Sequence, residues 1–427
     1  MYTPTLRAAP IRKMFSLRLT QPGASVQTAA VEPLSVTDQA LALFSDGSVD
    51  KAITTLQEGL ARGNCPPSSW NDLGNMLAHA GRLAEAATAF RRALGRAPRS
   101  ASLWNNLGAV LQRDNHVVGA ECAFRRAISL QENFFEAHQN LAQLLESRGE
   151  TLEAARHHCQ AFVHGPREGK TPAMLGLAYY HLGQMDAAAQ VYRDWLRDEP
   201  DNPVARHRLA ACLREGMPTR VSDAYIEATF DAFAPTFDVH LRGLEYRGPE
   251  LVTHALALSQ NPEGAARVLD AGCGTGLCGD LLRPWARELH GVDLSSAMLA
   301  RAYQRKSYDR LEKGELTAYL ANTRELYDIV CAADTFNYFG ELFPVFDAAA
   351  GALLSGGTLV FTVEDGSGRC DVRGWHLAMH GRYLHDPARI EEWLRLAGFQ
   401  VTGVQSAALR REFGEDVQGL IYTARRH

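Results

Sequence analysis

The chain has 427 residues, 46% hydrophobic and 22% charged, with a net charge of −5. This is the composition of ordinary globular protein in two or three domains. The acidic balance, with no long basic run, gives no electrostatic case for nucleic acid, and no apolar stretch approaches the ~20 residues of a membrane span. The eight cysteines contain no C-x-x-C pair. They read as buried or incidental thiols in a reducing, cytoplasmic setting rather than as a metal site or a disulfide framework. Residues 1–32 carry Arg7, Arg12, Lys13 and Arg18. That segment reads as a disordered leader, with a transit peptide or upstream sequence before a start at Met14 as alternatives.

From residue 33 the chain repeats itself in blocks of 34. Leu73, Leu107, Leu141, Leu175 and Leu209 share one column, and Gly74, Gly108, Ala142, Gly176 and Ala210 share the next. Ala86, Ala120, Ala154 and Ala188 recur in register, with Phe90, Phe124 and Tyr192 four positions later, and prolines 66, 98, 166 and 200 punctuate block ends. Small residues let two helices approach, the aromatic fills the gap, and proline stops the second helix. The pattern resembles the tetratricopeptide repeat over 33–216, which implies a solenoid of helix pairs that is stable only by stacking.

In such a solenoid the first helix of each block lines the concave face. Asn71-Asp72, Asn105-Asn106 and Gln139-Asn140 stand there, just before the leucine column. Amides donate and accept together, so this ladder either holds the backbone of an extended protein or peptide partner or pairs with itself between repeats. The next block has Ala173-Met174 and ends the ladder. The spacing of His157, His158 and His164 is not that of a metal-ligand set, and they read as surface histidines, so no metal is expected.

Residues 217–249 form a junction. Gly216 and Pro218 break the last repeat helix, and a helix comes next, with Phe230, Phe233 and Phe237 in and after it. These aromatics serve at least to join the repeats to the second half of the chain.

From 250 strands and helices alternate, which predicts a parallel sheet covered on both faces. Val268 to Asp270 reads as a buried strand entering the turn Gly272-Cys273-Gly274-Thr275-Gly276, with a helix opening near Leu277. A dinucleotide-binding turn is spaced G-x-G-x-x-G and would need glycine at 277, which is leucine. The Asp270 carboxylate would repel pyrophosphate but attract an ammonium group, so the turn fits S-adenosyl-L-methionine. Asp293 ends the second strand and is placed to accept from both ribose hydroxyls, as it would in either cofactor class. Met298 is placed to pack on adenine. Glu315, in a third strand expected to end at 314–316, would accept from the adenine amino group. Further strands are expected at 327–334 and 356–364, a helix at 387–397, and a closing pair at 400–404 and 419–424.

The glycine turn, the acidic strand end, the Asp328-Ile329-Val330 strand and the Gly356-Gly357 strand occur in the order of the class I S-adenosylmethionine-dependent methyltransferases, which 267–427 resembles. The resemblance implies a Rossmann-like α/β domain over 250–427 with a mostly parallel seven-stranded sheet. It also implies that the junction folds over the cofactor as a lid, with Tyr246 or Arg247 reaching the cofactor carboxylate. By position, Asp334, Asn337 and Tyr338 face the transferring methyl, while His376, His380 and His385 come after the fifth strand as sources of a base. Arg382 would bind an acidic substrate group. The combination with repeats resembles a bacterial group of predicted repeat-bearing methyltransferases. The expected function is methyl transfer to a protein or peptide recruited by the repeats. Alternatives are a small-molecule methyltransferase whose repeats serve assembly or localisation, a non-enzymatic cofactor-binding scaffold and, with least support, a nicotinamide oxidoreductase.

Overall fold

A computed structural model describes residues 34–66, 68–213, 216–324, 326–412 and 414–427; the leader reading of 1–32 lies outside them. The chain forms two compact units, divided between Gly149 and Glu150, inside the repeat array rather than at its end.

The first unit holds the helices α1 (Val36–Ser45), α2 (Val49–Ala61), α3 (Ser69–His79), α4 (Leu83–Leu94), α5 (Ala101–Arg113), α6 (Val117–Leu130) and α7 (Phe135–Ser147). The repeat columns form its core. Ala52, Ala86, Ala120, Phe90, Phe124 and Leu141 are essentially inaccessible to solvent. Gly108 is small for a packing reason, since a Cβ there would meet the Phe124 ring at 2.6 Å. The helix pair can close only with that methyl missing.

The second unit opens with α8 (Thr151–His164), α9 (Pro172–His181), α10 (Met185–Asp198) and α11 (Pro203–Leu213). The junction then forms α12 (Asp223–Phe233) and α13 (Phe237–Gly243), and α14 (Gly248–Ser259) leads into the sheet. In order come β1 (Ala266–Ala271), α15 (Gly279–Leu282), β2 (Ala286–Asp293), α16 (Ser296–Arg305), β3 (Arg310–Lys313), α17 (Leu316–Asn322), β4 (Tyr327–Ala332), α18 (Phe343–Ala352) and β5 (Leu353–Asp365). The chain closes with β6 (Trp375–Leu377), β7 (Tyr383–His385), α19 (Pro387–Leu396), β8 (Phe399–Glu412) and β9 (Glu415–Arg426).

The parallel run β3-β2-β1-β4-β5 continues through antiparallel β9 to β8, which gives the expected seven-stranded core. The short β6–β7 hairpin adds to it, with β7 pairing the end of β5. Because successive side chains alternate across a strand, Leu269, Val330 and Ala332 enter one buried cluster and Val268, Ile329 and Cys331 the other. The first cluster also takes Ala188, Tyr192 and Ala211 from the last repeat helices, so these share a core with the sheet.

Two elements differ from expectation. β3 ends at Lys313, and Glu315 stands beyond it as the N-cap of α17, its carboxylate accepting from the Thr317 and Ala318 N–H groups at 3.0 and 2.8 Å. The closing strands β8 and β9 are far longer than 400–404 and 419–424. Only Gly419–Arg425 of β9 pairs with β5, and the remainder extends as a two-stranded arm. At its tip, a Cβ on Gly414 would run into Thr151 at the start of α8.

Candidate active site

The parallel strands deliver their C-terminal ends to a cavity of about 320 Å³. The turn after β1 forms one wall. Gly272 adopts φ +76°, and a side chain there would collide with Thr335, whose hydroxyl donates to the Ala271 carbonyl at 2.9 Å. Gly274 adopts φ +54°, with nothing within 4 Å of where a Cβ would stand. The turn therefore offers bare backbone to a ligand.

Asp293 ends β2 on the same wall. Its Oδ2 accepts from the Gly274 N–H at 2.9 Å and its Oδ1 from the Ser295 N–H at 2.8 Å. Burial raises its pKa, against these N–H groups, which favour the charged form. Each oxygen keeps a lone pair, so the carboxylate can take two further donors. Met298, Glu315 and Tyr246 also line the cavity. Glu315 is already engaged as a helix cap, and Arg220 approaches it at 3.4 Å. Burial, followed by the charge of Asp334, raises the Tyr246 phenol. Asp270 does not fit its expected role of facing an ammonium. It is 1% exposed, accepts from the Tyr308 hydroxyl at 2.6 Å, and stands behind the turn rather than on the cavity wall. Burial lifts its pKa to about 7. Its oxygen braces the strand end.

The junction roofs this cavity. Phe230, Phe233 and Phe237 line it and pack edge-to-face, with Phe230 also against Tyr338 at 5.4 Å. Asp231 and Asp238 tie the roof to α16 and the glycine turn. Asp238 accepts from Thr275 and Arg305, each at 2.6 Å. Asp231 accepts from the Ser295 hydroxyl at 2.5 Å and the Ala297 N–H at 3.2 Å. The roof is thus fastened to the glycine turn and to the start of α16.

Opposite the turn lies a polar wall. Of the six catalytic candidates, Asp334, Tyr338 and His380 reach it. Asn337 is fully buried behind Asp334, donating to its Oδ1 and accepting from the Glu364 N–H at 2.9 Å. His385 faces the core instead, with Nε2 2.8 Å from the Phe339 carbonyl. His376 lies on β6, off the cavity wall, because the unexpected hairpin carries both residues away from it.

Arg410 donates to both Asp334 oxygens at 3.1 and 3.0 Å, to Glu412 at 2.8 Å, and to Glu364. Arg382, expected to bind substrate, instead donates from Nη2 to both Glu412 oxygens at 2.8 and 2.9 Å and from Nε to Glu364 at 2.5 Å. Three carboxylates thus face two guanidiniums. Burial alone would raise Glu412, but Arg382 and Arg410 hold it down at about 2, and Glu364 is likewise held low by Arg382, His380 and Arg410. Burial and Arg382 push His380 down to about 3, which leaves it neutral. For Asp334 burial prevails over Arg410, and its pKa is raised. Its backbone is also strained, at φ +57°.

Glu364 lay within an expected strand but carried no expected role. Arg410 and Glu412 belong to the β8–β9 arm, whose charged run Arg410-Arg411-Glu412 was the available signal. In the first unit, Asn106 donates to Asn71 at 3.2 Å and Asn140 to Asn105 at 2.9 Å, so these amides pair between repeats. Asp72 and Gln139 stand beside them, half-buried.

The bare turn, the open lone pairs of Asp293 and the apolar roof fit S-adenosylmethionine. Residues 243–404 match the methyltransferase domain family, and 37–101 and 173–203 match the tetratricopeptide repeat. The chain is 33% identical to malonyl-[acyl-carrier protein] O-methyltransferase of Erwinia pyrifoliae over 25% of this chain and 39% of that protein. It is 36% identical to methyltransferase-like protein 27 of Homo sapiens over 26% of this chain and 43% of that protein. It therefore spans about two fifths of the length of these curated relatives. Solved structures with a similar arrangement include an S-adenosylmethionine-dependent methyltransferase from Clostridium acetobutylicum (17% identity, 46% of this chain and 99% of that one, TM-score 0.36). Another is the N-methyltransferase NodS from Bradyrhizobium japonicum with S-adenosyl-L-homocysteine (22% identity, 42% and 86%, TM-score 0.34). The chain joins segments that match the tetratricopeptide repeat to a segment that matches the methyltransferase domain family.

Proposed function

We propose that the chain transfers a methyl group from S-adenosylmethionine to an acceptor held between the glycine turn and the Arg410 wall, and that its repeats recruit a protein or peptide acceptor. The observation that carries this reading is the continuity of one roofed cavity from Asp293 to Asp334 and Tyr338. The cofactor, when bound, supplies an activated methyl on a sulfonium that needs no protonation to leave. The residues then have to align the acceptor and keep water out. The Phe230–Phe233–Phe237 roof excludes water. Asp334, neighbour to Tyr338 on the wall, takes a hydrogen bond from the acceptor and its proton if one must leave.

Recruitment is supported by the amide ladder, whose members keep spare donors and acceptors after pairing with one another. The same pairing favours a second reading, in which the ladder stiffens the solenoid and the acceptor is a small molecule.

Calorimetry on the full chain tests the cofactor site. Asp293→Ala removes the acceptor of two ribose hydroxyls and should weaken S-adenosylmethionine binding at least about thirtyfold. Unchanged affinity, or no binding by the wild type, would overturn the reading. Mass spectrometry for one added methyl on partners captured through 34–149, against an extract of small metabolites, separates the two acceptor classes.

A further inference from the structure

Among the described residues, four guanidiniums reach the cavity wall: Arg208, Arg220, Arg382 and Arg410. Three are spent on carboxylates. Arg220 pairs with Asp223 at 2.6 Å and with Glu315, and Arg382 and Arg410 share Glu364 and Glu412. Arg208 differs. It donates from Nη1 to the Met379 carbonyl at 2.6 Å, and among the described residues no carboxylate pairs with it. A guanidinium has five N–H donors in a planar fork, and most of this fork is uncommitted.

Arg208 comes from the last repeat helix, α11, and it is held in place. His207, next to it and buried, places Nε2 3.0 Å from the Gly381 carbonyl and packs on the Tyr225 ring at 4.6 Å. The guanidinium lies over Gly381, where a Cβ would stand 3.2 Å from its Cζ. A partly desolvated cation with no counter-charge among the described residues gains from a ligand that supplies one. The glycine turn and Asp293, which fit the cofactor's backbone contacts and ribose, lie on the opposite wall.

We propose that Arg208 is an acceptor-specificity residue: an oxyanion subsite, built by the repeats into the methyltransferase cavity, that takes a carboxylate or phosphate group of the methyl acceptor. This rests on the methyltransferase reading above. It gives the last repeat a role in choosing the acceptor, separate from recruitment by the first unit.

The test uses non-reactive aza analogues of S-adenosylmethionine. The methyl is replaced by an alkyl arm of graded length ending in a carboxylate, a phosphonate or a neutral carboxamide. At the best arm length, one anionic arm should bind the full-length protein about tenfold tighter than the carboxamide, as for a charge-assisted bidentate contact. The carboxylate and phosphonate arms tell the two oxyanions apart. In Arg208→Gln the anionic preference should fall to within about twofold, with S-adenosylmethionine affinity retained, and Arg208→Lys should keep part of it because a point charge survives without the fork. Equal affinity of charged and neutral arms at every length in the wild type overturns the subsite without any variant. So does an anionic preference that survives Arg208→Gln. Failure of S-adenosylmethionine itself to bind would instead sink the methyltransferase reading, and the subsite with it.

Discussion

Arg410 is where the buried charges balance. It is 2% exposed and faces Asp334, Glu364 and Glu412, so replacing it leaves three carboxylates with one guanidinium. Arg410→Met should cost about 3–5 kcal/mol at neutral pH, the usual result of stripping one partner from a buried ion network. The pH dependence carries the sign. Glu364 and Glu412 have folded pKa values below their ordinary 4.5, Glu412 at about 2. Their contribution is therefore fully present above about pH 4.5 and is lost as pH falls towards 2. In the variant Arg382 alone holds these carboxyls down, less strongly than the pair does, so the stability gap to the wild type should narrow as the pH drops below 4.5. Thermal unfolding across that range measures it, and a gap independent of pH would show that the network is not what Arg410 stabilises. The two ends of the cavity were unequally legible. Gly272, Gly274 and Asp293 follow from local spacing at strand ends, which the sequence displays directly. Arg410 reaches Asp334 across 76 positions, and no local pattern announces a partner so distant.

The roof is the element whose function most depends on being fastened. Asp231 and Asp238 tie α12 and α13 to α16 and the glycine turn through hydrogen bonds of 2.5–3.2 Å. A charge-assisted bond contributes about 1.5–3 kcal/mol where it is half-buried, as at Asp238, and less at the exposed Asp231. Removing them should loosen the roof while leaving Asp293 and the glycines of the turn unsubstituted. The Asp231→Ala/Asp238→Ala double variant is expected to release S-adenosylmethionine at least about tenfold faster, with a smaller change in the association rate. Stopped-flow displacement reads both rates, and an unchanged dissociation rate would mean the roof is only a strut. The repeats were legible because their helix pairs recur every 34 residues. The β6–β7 hairpin was not, because strands of three residues are too short to show an alternating pattern. That is why His376 and His385 looked like a cluster beside the site when pairing with Tyr383–His385 had already settled their surroundings.

Across the whole molecule, the sequence boundary and the packing boundary are different places. The repeat pattern runs to 216, yet Ala188, Tyr192 and Ala211 are buried in the same cluster as Tyr225, Phe336 and Phe361. A fragment cut at 217 would strip α9–α11 from that cluster. It would also remove the His207 and Arg208 bonds to Gly381 and Met379. Re-exposing that apolar surface, at roughly 25 cal/mol per Å², costs several kcal/mol, a large share of a domain's net stability. Residues 150–427 keep the cluster whole. We therefore expect the 150–427 fragment to bind S-adenosylmethionine like the full chain, and the 217–427 fragment to melt earlier and bind it more weakly. Calorimetry and thermal unfolding of both fragments decide this, and equal midpoints with equal affinities would show that the shared core does not stabilise the domain. The consequence reaches the recruitment question. Loss of activity in a cut at 217 confounds a damaged cavity with a missing partner groove, whereas a cut at 150 removes the amide ladder and leaves Arg208 in place. A rise in KM for a protein acceptor, at unchanged kcat, in the 150–427 fragment is therefore the signature of recruitment by the first unit.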